Sequence, residues 1–190
     1  MVVTVGAGKP PPHPLTDWDG RCGFGEGDDV MGARRIEDEE ALKHLGARPL
    51  WLEFLDRQYM GGEPPSRAEV AVAIEAVVAA NGHDAVASPL GIGHPDHLVT
   101  AAACRDVARR LREVGWIFYE DVIYRATNGS TEQALAQAAA DGFVLRPMQV
   151  AVAGSKRAAL DSYTSQLRGL GELVRDAYLP ERYWTVVSRT

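Results

Sequence analysis

The sequence has very few cysteines and no long hydrophobic run. Its two cysteines among 190 residues, Cys22 and Cys104, lie far apart and match no zinc or redox motif. We therefore predict that both are reduced and take no part in function. A helix that crosses a membrane needs about 20 consecutive apolar residues, and the sequence contains no such run. The N-terminus also lacks the basic start and apolar stretch of a signal peptide. Together these absences predict a cytoplasmic protein without a membrane span.

Positive charge is also in short supply. The chain has 20 lysines and arginines against 26 aspartates and glutamates, which gives a formal net charge of -6. A net-negative surface attracts neither nucleic acid nor an anionic membrane, so we predict neither as a partner. A length of 190 residues with 46% hydrophobic residues suits a single domain, residues 1–190, with a core of its own. The sequence leaves the oligomeric state open, a homo-oligomer included.

The hydrophobic pattern alternates between strands and helices along the chain. It predicts strands at residues 2–6, 50–55, 85–88, 116–119 and 143–153, and helices at residues 29–45, 66–81, 95–113, 130–140 and 155–167. A loop rich in glycine and proline, residues 8–28, separates the first strand from the first helix. Strands separated by helices of this length imply right-handed crossovers. The prediction is therefore an α/β fold with a three-layer, Rossmann-like, mostly parallel sheet.

The segment His94-Pro95-Asp96-His97 follows Gly91-Ile92-Gly93 at the point where the third predicted strand gives way to a helix. At a spacing of three residues in a first helical turn, His94 and His97 face the same side. One imidazole there can bind a metal ion, while the other, oriented by Asp96, donates a proton or a hydrogen bond to a developing oxyanion. The alternative is a Pro-Asp helix start flanked by two surface histidines. The spacing alone leaves both interpretations open.

Other segments follow a distinctive order along the chain. They are Val2-Val3-Thr4-Val5-Gly6-Ala7-Gly8, Ala33-Arg34-Arg35-Ile36-Glu37-Asp38, Leu45-Gly46-Ala47, Phe118-Tyr119-Glu120-Asp121, and Lys156 with Tyr163-Thr164-Ser165-Gln166. Together with the glycine-flanked histidine motif, they resemble the LmbE-like or PIG-L family of zinc-dependent N-deacetylases. The resemblance implies a hydrolase that uses Zn²⁺ to remove an N-acetyl or N-acyl group. Its partner would be a small-molecule N-acylated amino sugar or glycoconjugate.

The resemblance implies roles for five residues. His97 matches the family's histidine ligand to zinc, His94 the histidine that stabilises the oxyanion or leaving group, and Asp96 its orienting partner. Arg34 and Asp56 resemble substrate-contacting residues. Simpler alternatives stand beside the last two, because Arg34 can pair with Asp38 on a solvated helix face and Asp56 can be an ordinary turn carboxylate.

The sequence departs from the family pattern at its start. The family begins with a strand that ends in a His-Pro-Asp-Asp motif, and the chain resembles the family only from the second strand onward. The first strand and helix are therefore expected to be missing, with part of the zinc site. Two other segments contain residue types of the missing motif, namely His13-Pro14 with Asp17, and Asp28-Asp29. Both lie in the long loop, and Asp29 is better explained as a helix cap.

Two predictions about the chain follow from this departure. Zinc is expected to bind weakly or not at all, because a catalytic zinc site has three protein ligands. A missing central strand would leave unpaired backbone groups. The chain is therefore expected to be unstable or to aggregate, or its first strand is expected to pair instead with residues 85–88 or with a partner chain.

Two functions therefore remain open from the sequence. One is the zinc-dependent deacetylase, and the other is a catalytically inactive relative that keeps the sugar-binding cleft. A nucleotide-binding module is disfavoured, because no G-x-G-x-x-G follows a predicted strand.

Overall fold

The computed structural model describes residues 1–82, 84–150 and 154–189. The strands are β1 (Val2–Thr4), β2 (Pro49–Trp51), β3 (Ala85–Pro89), β4 (Gly115–Tyr119), β5 (Phe143–Met148) and β6 (Tyr183–Arg189). The α-helices are α1 (Asp17–Cys22), α2 (Val30–His44), α3 (Arg67–Asn81), α4 (Pro95–Arg110), α5 (Ser130–Ala140), α6 (Lys156–Asp161) and α7 (Thr164–Leu170). Short 3-10 helices occupy Arg57–Tyr59, Tyr124–Ala126 and Gly171–Tyr178. The predicted α/β class is confirmed.

The chain folds into two compact units. The first contains the parallel pair β1–β2 with helices α1, α2, α6 and α7. The second contains helices α3, α4 and α5 and a sheet in the order β3-β4-β6-β5. In that sheet β3 and β4 are parallel, whereas β6 runs antiparallel to both of its neighbours. In the part of the chain that the structure describes, the two sheets thus hold two parallel and two antiparallel strand pairs.

Helix caps explain why the best-predicted helices begin and end where they do. Asp29 caps α2 by accepting a hydrogen bond from the Gly32 N–H, and Ser66 caps α3 by accepting one from the Glu69 N–H. Gly82 ends α3 in the left-handed region, with φ of 57°. All three signals are visible in the sequence, so these boundaries agree with prediction.

Several elements differ from the predicted pattern, among them β2, which ends at Trp51 rather than at residue 55. The long loop contains the six-residue helix α1, which Thr16 caps and which is too short to show a hydrophobic period. The helix expected at residues 155–167 is split into α6 and α7. The strand expected at residues 143–153 ends at Met148, and residues 151–153 lie outside the described part of the chain.

Hydrogen bonds to side chains of α2 stabilise the break between α6 and α7. The Tyr163 hydroxyl donates to Asp38, 2.7 Å away. Glu37 accepts from the Ser165 N–H and from the hydroxyls of Thr164 and Ser165, at 2.7 to 2.8 Å. These bonds occupy donors at the N-terminus of α7, which explains why a new helix begins there.

Strand β1 is less buried than a β-branched run suggests. Val2 is 38% exposed, and Val3 and Thr4 are only partly buried. Among the described residues β1 pairs with β2 and not with β3, so the expected shift of β1 onto β3 is not seen. Unpaired strand edges promote association with other strands, and instability of the isolated chain stays a prediction.

Both cysteines are free and buried. Burial raises the pKa of the Cys104 thiol to about 12 and also raises the pKa of Cys22, so both thiols stay protonated and unreactive near neutral pH. Within residues 1–82, 84–150 and 154–189, no helix has the length and hydropathy to cross a membrane.

Candidate functional site

The loop after β3 takes a conformation that depends on glycine. Gly91 has φ of +91° and Gly93 has φ of +76°, values that residues with a Cβ rarely adopt. The Leu90 carbonyl accepts a hydrogen bond from Arg105, a buried residue of α4 that also pairs with Asp141 at 2.7 Å. The loop is thus fixed to the helix that follows it.

A buried carboxylate from the next strand holds the same loop. Asp121 lies two residues beyond the end of β4, and its Oδ2 accepts from the N–H groups of Gly91 and Ile92, each at 2.9 Å. Its other oxygen, Oδ1, lies 2.8 Å from His97 Nδ1. The Asp121 side chain is 1% exposed and that of His97 is 41% exposed. One carboxylate therefore contacts both the loop and the histidine.

His94 caps the helix that carries the motif. Its Nδ1 accepts a hydrogen bond from the Asp96 N–H at 3.3 Å, and Pro95 occupies the first turn of α4. The Asp96 carboxylate lies farther away, with Oδ2 3.8 Å from the same nitrogen. Asp96 thus lies beside His94, and its orienting role stays a prediction.

An aromatic side chain packs against both histidines. The ring centroids of His94 and His97 lie 5.6 Å apart, and the Tyr124 ring lies 5.9 Å and 5.2 Å from them. The preceding residue, Ile123, has φ of +63°, a strained value for a β-branched residue. Strain of this kind clusters at functional sites, which marks Tyr124 as part of this one.

Replacing Gly93 by alanine should destabilise the fold more than the same change at Gly129. The two glycines have similar φ values, +76° and +79°, so each alanine carries about 1–3 kcal/mol of backbone strain. A Cβ at Gly129 meets nothing within 4 Å, whereas one at Gly93 would lie 2.6 Å from Tyr124 Cδ1. That overlap adds about 1–3 kcal/mol. Urea unfolding of both variants measures the difference, and equal losses of stability would contradict the packing described here.

Arg34 belongs to the first unit and is held in a buried network. Its Nη2 lies 2.7 Å from Asp19 Oδ1, and the Tyr59 hydroxyl donates to Asp19 Oδ2 at 2.9 Å. Asp19 is fully buried. Burial also raises the pKa of the Tyr59 hydroxyl, which keeps that donor protonated. The substrate-contacting role of Arg34 stays a prediction, and its ion-pair partner is Asp19 rather than Asp38.

Asp56 also lies in the first unit, where it caps a 3-10 helix. Its Oδ1 accepts from the Gln58 N–H at 3.0 Å. This is the turn role that the sequence analysis set beside sugar contact, and the two are compatible because a second oxygen remains. Sugar contact by Asp56 stays a prediction.

The acidic residues of the long loop have local roles. Asp29 caps α2 and pairs with Lys9 at 2.8 Å, and Asp28 accepts from the Gly25 N–H at 2.7 Å. Asp17 lies in the first turn of α1, and His13 Nδ1 lies 2.6 Å from the Pro14 carbonyl oxygen. These contacts account for Asp28 and Asp29 without a metal ion.

The described residues supply fewer ligands than a zinc site needs. Zinc in a catalytic site has three protein ligands, and the described part of the chain brings no three His, Cys, Asp or Glu side chains together as a metal-binding group. His97 suits one ligand position because a carboxylate contacts its inner nitrogen and its outer edge is exposed. The described residues therefore do not complete a zinc site.

Sequence reasoning assigned no role to Asp121 or Tyr124. A signal for Asp121 was present, because β3 and β4 are parallel neighbours and the loops at their carboxyl ends meet at one sheet edge. Tyr124 gave no such signal, since its position depends on the strained turn at Ile123. Asp19 gave no signal either, because it lies in α1, within the segment that the sequence predicts as a loop.

The fold is similar to that of solved deacetylases. A deacetylase triple mutant, Orf2*T, of the teicoplanin biosynthetic pathway has 26% identity and a TM-score of 0.79, and the match covers 99% of this chain and 85% of that one. A deacetylase–teicoplanin complex has 26% identity and a TM-score of 0.77, with coverage of 99% and 86%. The zinc-inhibited form of teicoplanin deacetylase Orf2 has 23% identity and a TM-score of 0.75, again covering 99% and 86%. No protein-family model and no curated protein matches the sequence.

Proposed function

We propose that this protein is a deacetylase-type hydrolase that removes an N-acetyl or N-acyl group from a small molecule containing an amino sugar. The observation that carries the proposal is the pair His94 and His97 on the first turn of α4, in a fold similar to that of teicoplanin-pathway deacetylases. The motif resemblance to the LmbE-like or PIG-L family supports the same reaction.

The contacts of His94 suit a hydrogen-bond donor. Because its Nδ1 accepts the Asp96 N–H, the proton of the neutral ring sits on Nε2. Amide hydrolysis builds negative charge on the carbonyl oxygen, and a fixed N–H aimed at that oxygen lowers the barrier. His94 is therefore the proposed oxyanion donor, with Asp96 as its positioning residue.

Zinc is proposed as the cofactor, with His97 as one of its ligands. The zinc-inhibited state of one similar deacetylase supports a metal effect in that protein. Since the described residues form no three-ligand group, the proposal assigns zinc no step. Arg34 and Asp56 are proposed substrate contacts.

A second function has an observation in its favour. The same lack of a three-ligand group among the described residues favours a catalytically inactive relative that binds an N-acylated sugar. The two functions differ in one measurable product, the free amine.

The 190-residue chain is expected to release amine slowly, and only when zinc is present. The proposed test uses N-acetylglucosamine glycosides and their longer N-acyl analogues, zinc from substoichiometric to excess, and an amine-reactive fluorophore. A site with too few ligands should hold zinc more weakly than structural sites, whose binding free energies start at about 10 kcal/mol. Slow, zinc-dependent release is therefore the predicted result.

The control for this assay is His44→Ala, which removes an exposed histidine at the end of α2. It should leave the release rate unchanged. Binding of the sugar, seen by saturation-transfer NMR, without any zinc-dependent amine would overturn the hydrolase and support the inactive relative.

A further inference from the structure

The contact between Asp121 and His97 has features of a positioning device. His97 Nδ1 and Asp121 Oδ1 are both buried, lie 2.8 Å apart, and have no other polar partner among the described residues. The separation is within hydrogen-bond distance, although the two atoms do not meet the geometry of a hydrogen bond. Buried polar atoms are costly without a partner, and each of these has only the other.

The other half of the carboxylate is already engaged. Oδ2 accepts two backbone N–H groups, from Gly91 and Ile92, and Asp121 is 2% exposed. The carboxylate therefore cannot rotate without breaking both bonds. A carboxylate oxygen that faces a ring nitrogen acts as an acceptor, so the contact favours a proton on His97 Nδ1.

We infer that Asp121 is the positioning residue that fixes neutral His97 as its Nδ1–H tautomer, leaving the Nε2 lone pair on the exposed edge of the ring. The inference rests on the proposed function for its purpose, because a metal ligand needs that lone pair. His94 is held in the opposite way, with its proton on Nε2. One ring thus presents an acceptor and the other a donor.

An asparagine at position 121 tests this assignment sharply. The Gly91 and Ile92 N–H groups both require an acceptor at the Oδ2 position, so the amide oxygen of Asp121→Asn should sit there. The amide NH₂ would then face His97 Nδ1. A donor at that place requires a lone pair on Nδ1, which moves the His97 proton to Nε2.

The experiment is a long-range ¹H–¹⁵N correlation spectrum of the ¹⁵N-labelled chain without metal or substrate. It is recorded about two pH units above the ordinary histidine pKa of about 6.5. His97→Ala assigns the His97 ring signals. The expected result is Nδ1–H in the native chain and Nε2–H in Asp121→Asn. Asp96→Asn is the matched control and should leave the His97 tautomer unchanged.

Two results would overturn the inference. One is an Nε2–H tautomer for His97 in the native chain, which needs no variant to be folded. The other is an unchanged Nδ1–H tautomer in a folded Asp121→Asn. Because the spectrum needs neither zinc nor turnover, a chain that releases no amine would refute the proposed function and leave this result intact.

Discussion

Replacing Asp19 by alanine is expected to lower the free energy of unfolding by about 3–5 kcal/mol, the cost of removing one partner from a buried ion pair. Asp19 is fully buried, and its two oxygens contact Arg34 and the Tyr59 hydroxyl. The variant leaves the Arg34 charge, on a side chain only 12% exposed, without its closest anion. The desolvation of that charge is then uncompensated.

Equilibrium denaturation in urea measures this loss. Glu40→Ala is the matched control, because it removes a carboxylate from an exposed pair with Lys43, and exposed pairs contribute little. The double variant Asp19→Leu with Arg34→Met should recover part of the stability, since apolar replacements of a buried pair are often neutral or better. A loss in Asp19→Ala no larger than that in Glu40→Ala would contradict the buried network.

The variants His94→Ala and His97→Ala are expected to have different effects, the first on turnover and the second on zinc binding. His97→Ala should abolish zinc-dependent amine release, because it removes the proposed ligand that Asp121 contacts. His94→Ala should keep the zinc affinity and lower kcat about 10²–10³-fold, the usual cost of losing one oxyanion donor. The difference follows from the contacts of the two rings, because His94 Nδ1 accepts a backbone N–H whereas His97 Nδ1 faces a carboxylate.

Zinc affinity is measured by competition with a chromophoric chelator, and kcat by amine release. His44→Ala serves again as the surface control. Equal zinc losses in both variants would make His94 a ligand, and an unchanged kcat in His94→Ala would remove it from the chemistry. Either result would contradict the proposed roles of His97 as the zinc ligand and His94 as the oxyanion donor.

Much of the fold was predictable because its signals are local. The caps Asp29 and Ser66 and the stop at Gly82 depend on residues within one turn. The start of α4 at Pro95 was predictable for the same reason. The pairing of His94 and His97 follows from helical spacing alone. Because these signals are local, the bounds of such a helix can be predicted without knowledge of any tertiary contact.

The rest depends on contacts between distant parts of the chain. Strand β6 pairs antiparallel with β4 and β5, and no periodicity in its own residues indicates that direction. The simpler alternative for Arg34 was a partner four residues away, yet its ion-pair partner Asp19 lies on the unpredicted helix α1. Asp121 reaches His97 only because two parallel strands end at one edge. Such contacts set the candidate site, so its residues were only partly visible in the sequence.

The most direct test of the proposed hydrolase follows the oxygen atom of water. The chain is incubated with zinc and an N-acetylglucosamine glycoside in H₂¹⁸O. The ¹⁸O content of the released acetate is then measured by mass spectrometry. Hydrolysis places one ¹⁸O in each acetate and frees one amine, and the account predicts that both products disappear in His97→Ala. Sugar that stays fully acetylated at every zinc concentration, while still binding to the chain, would contradict it.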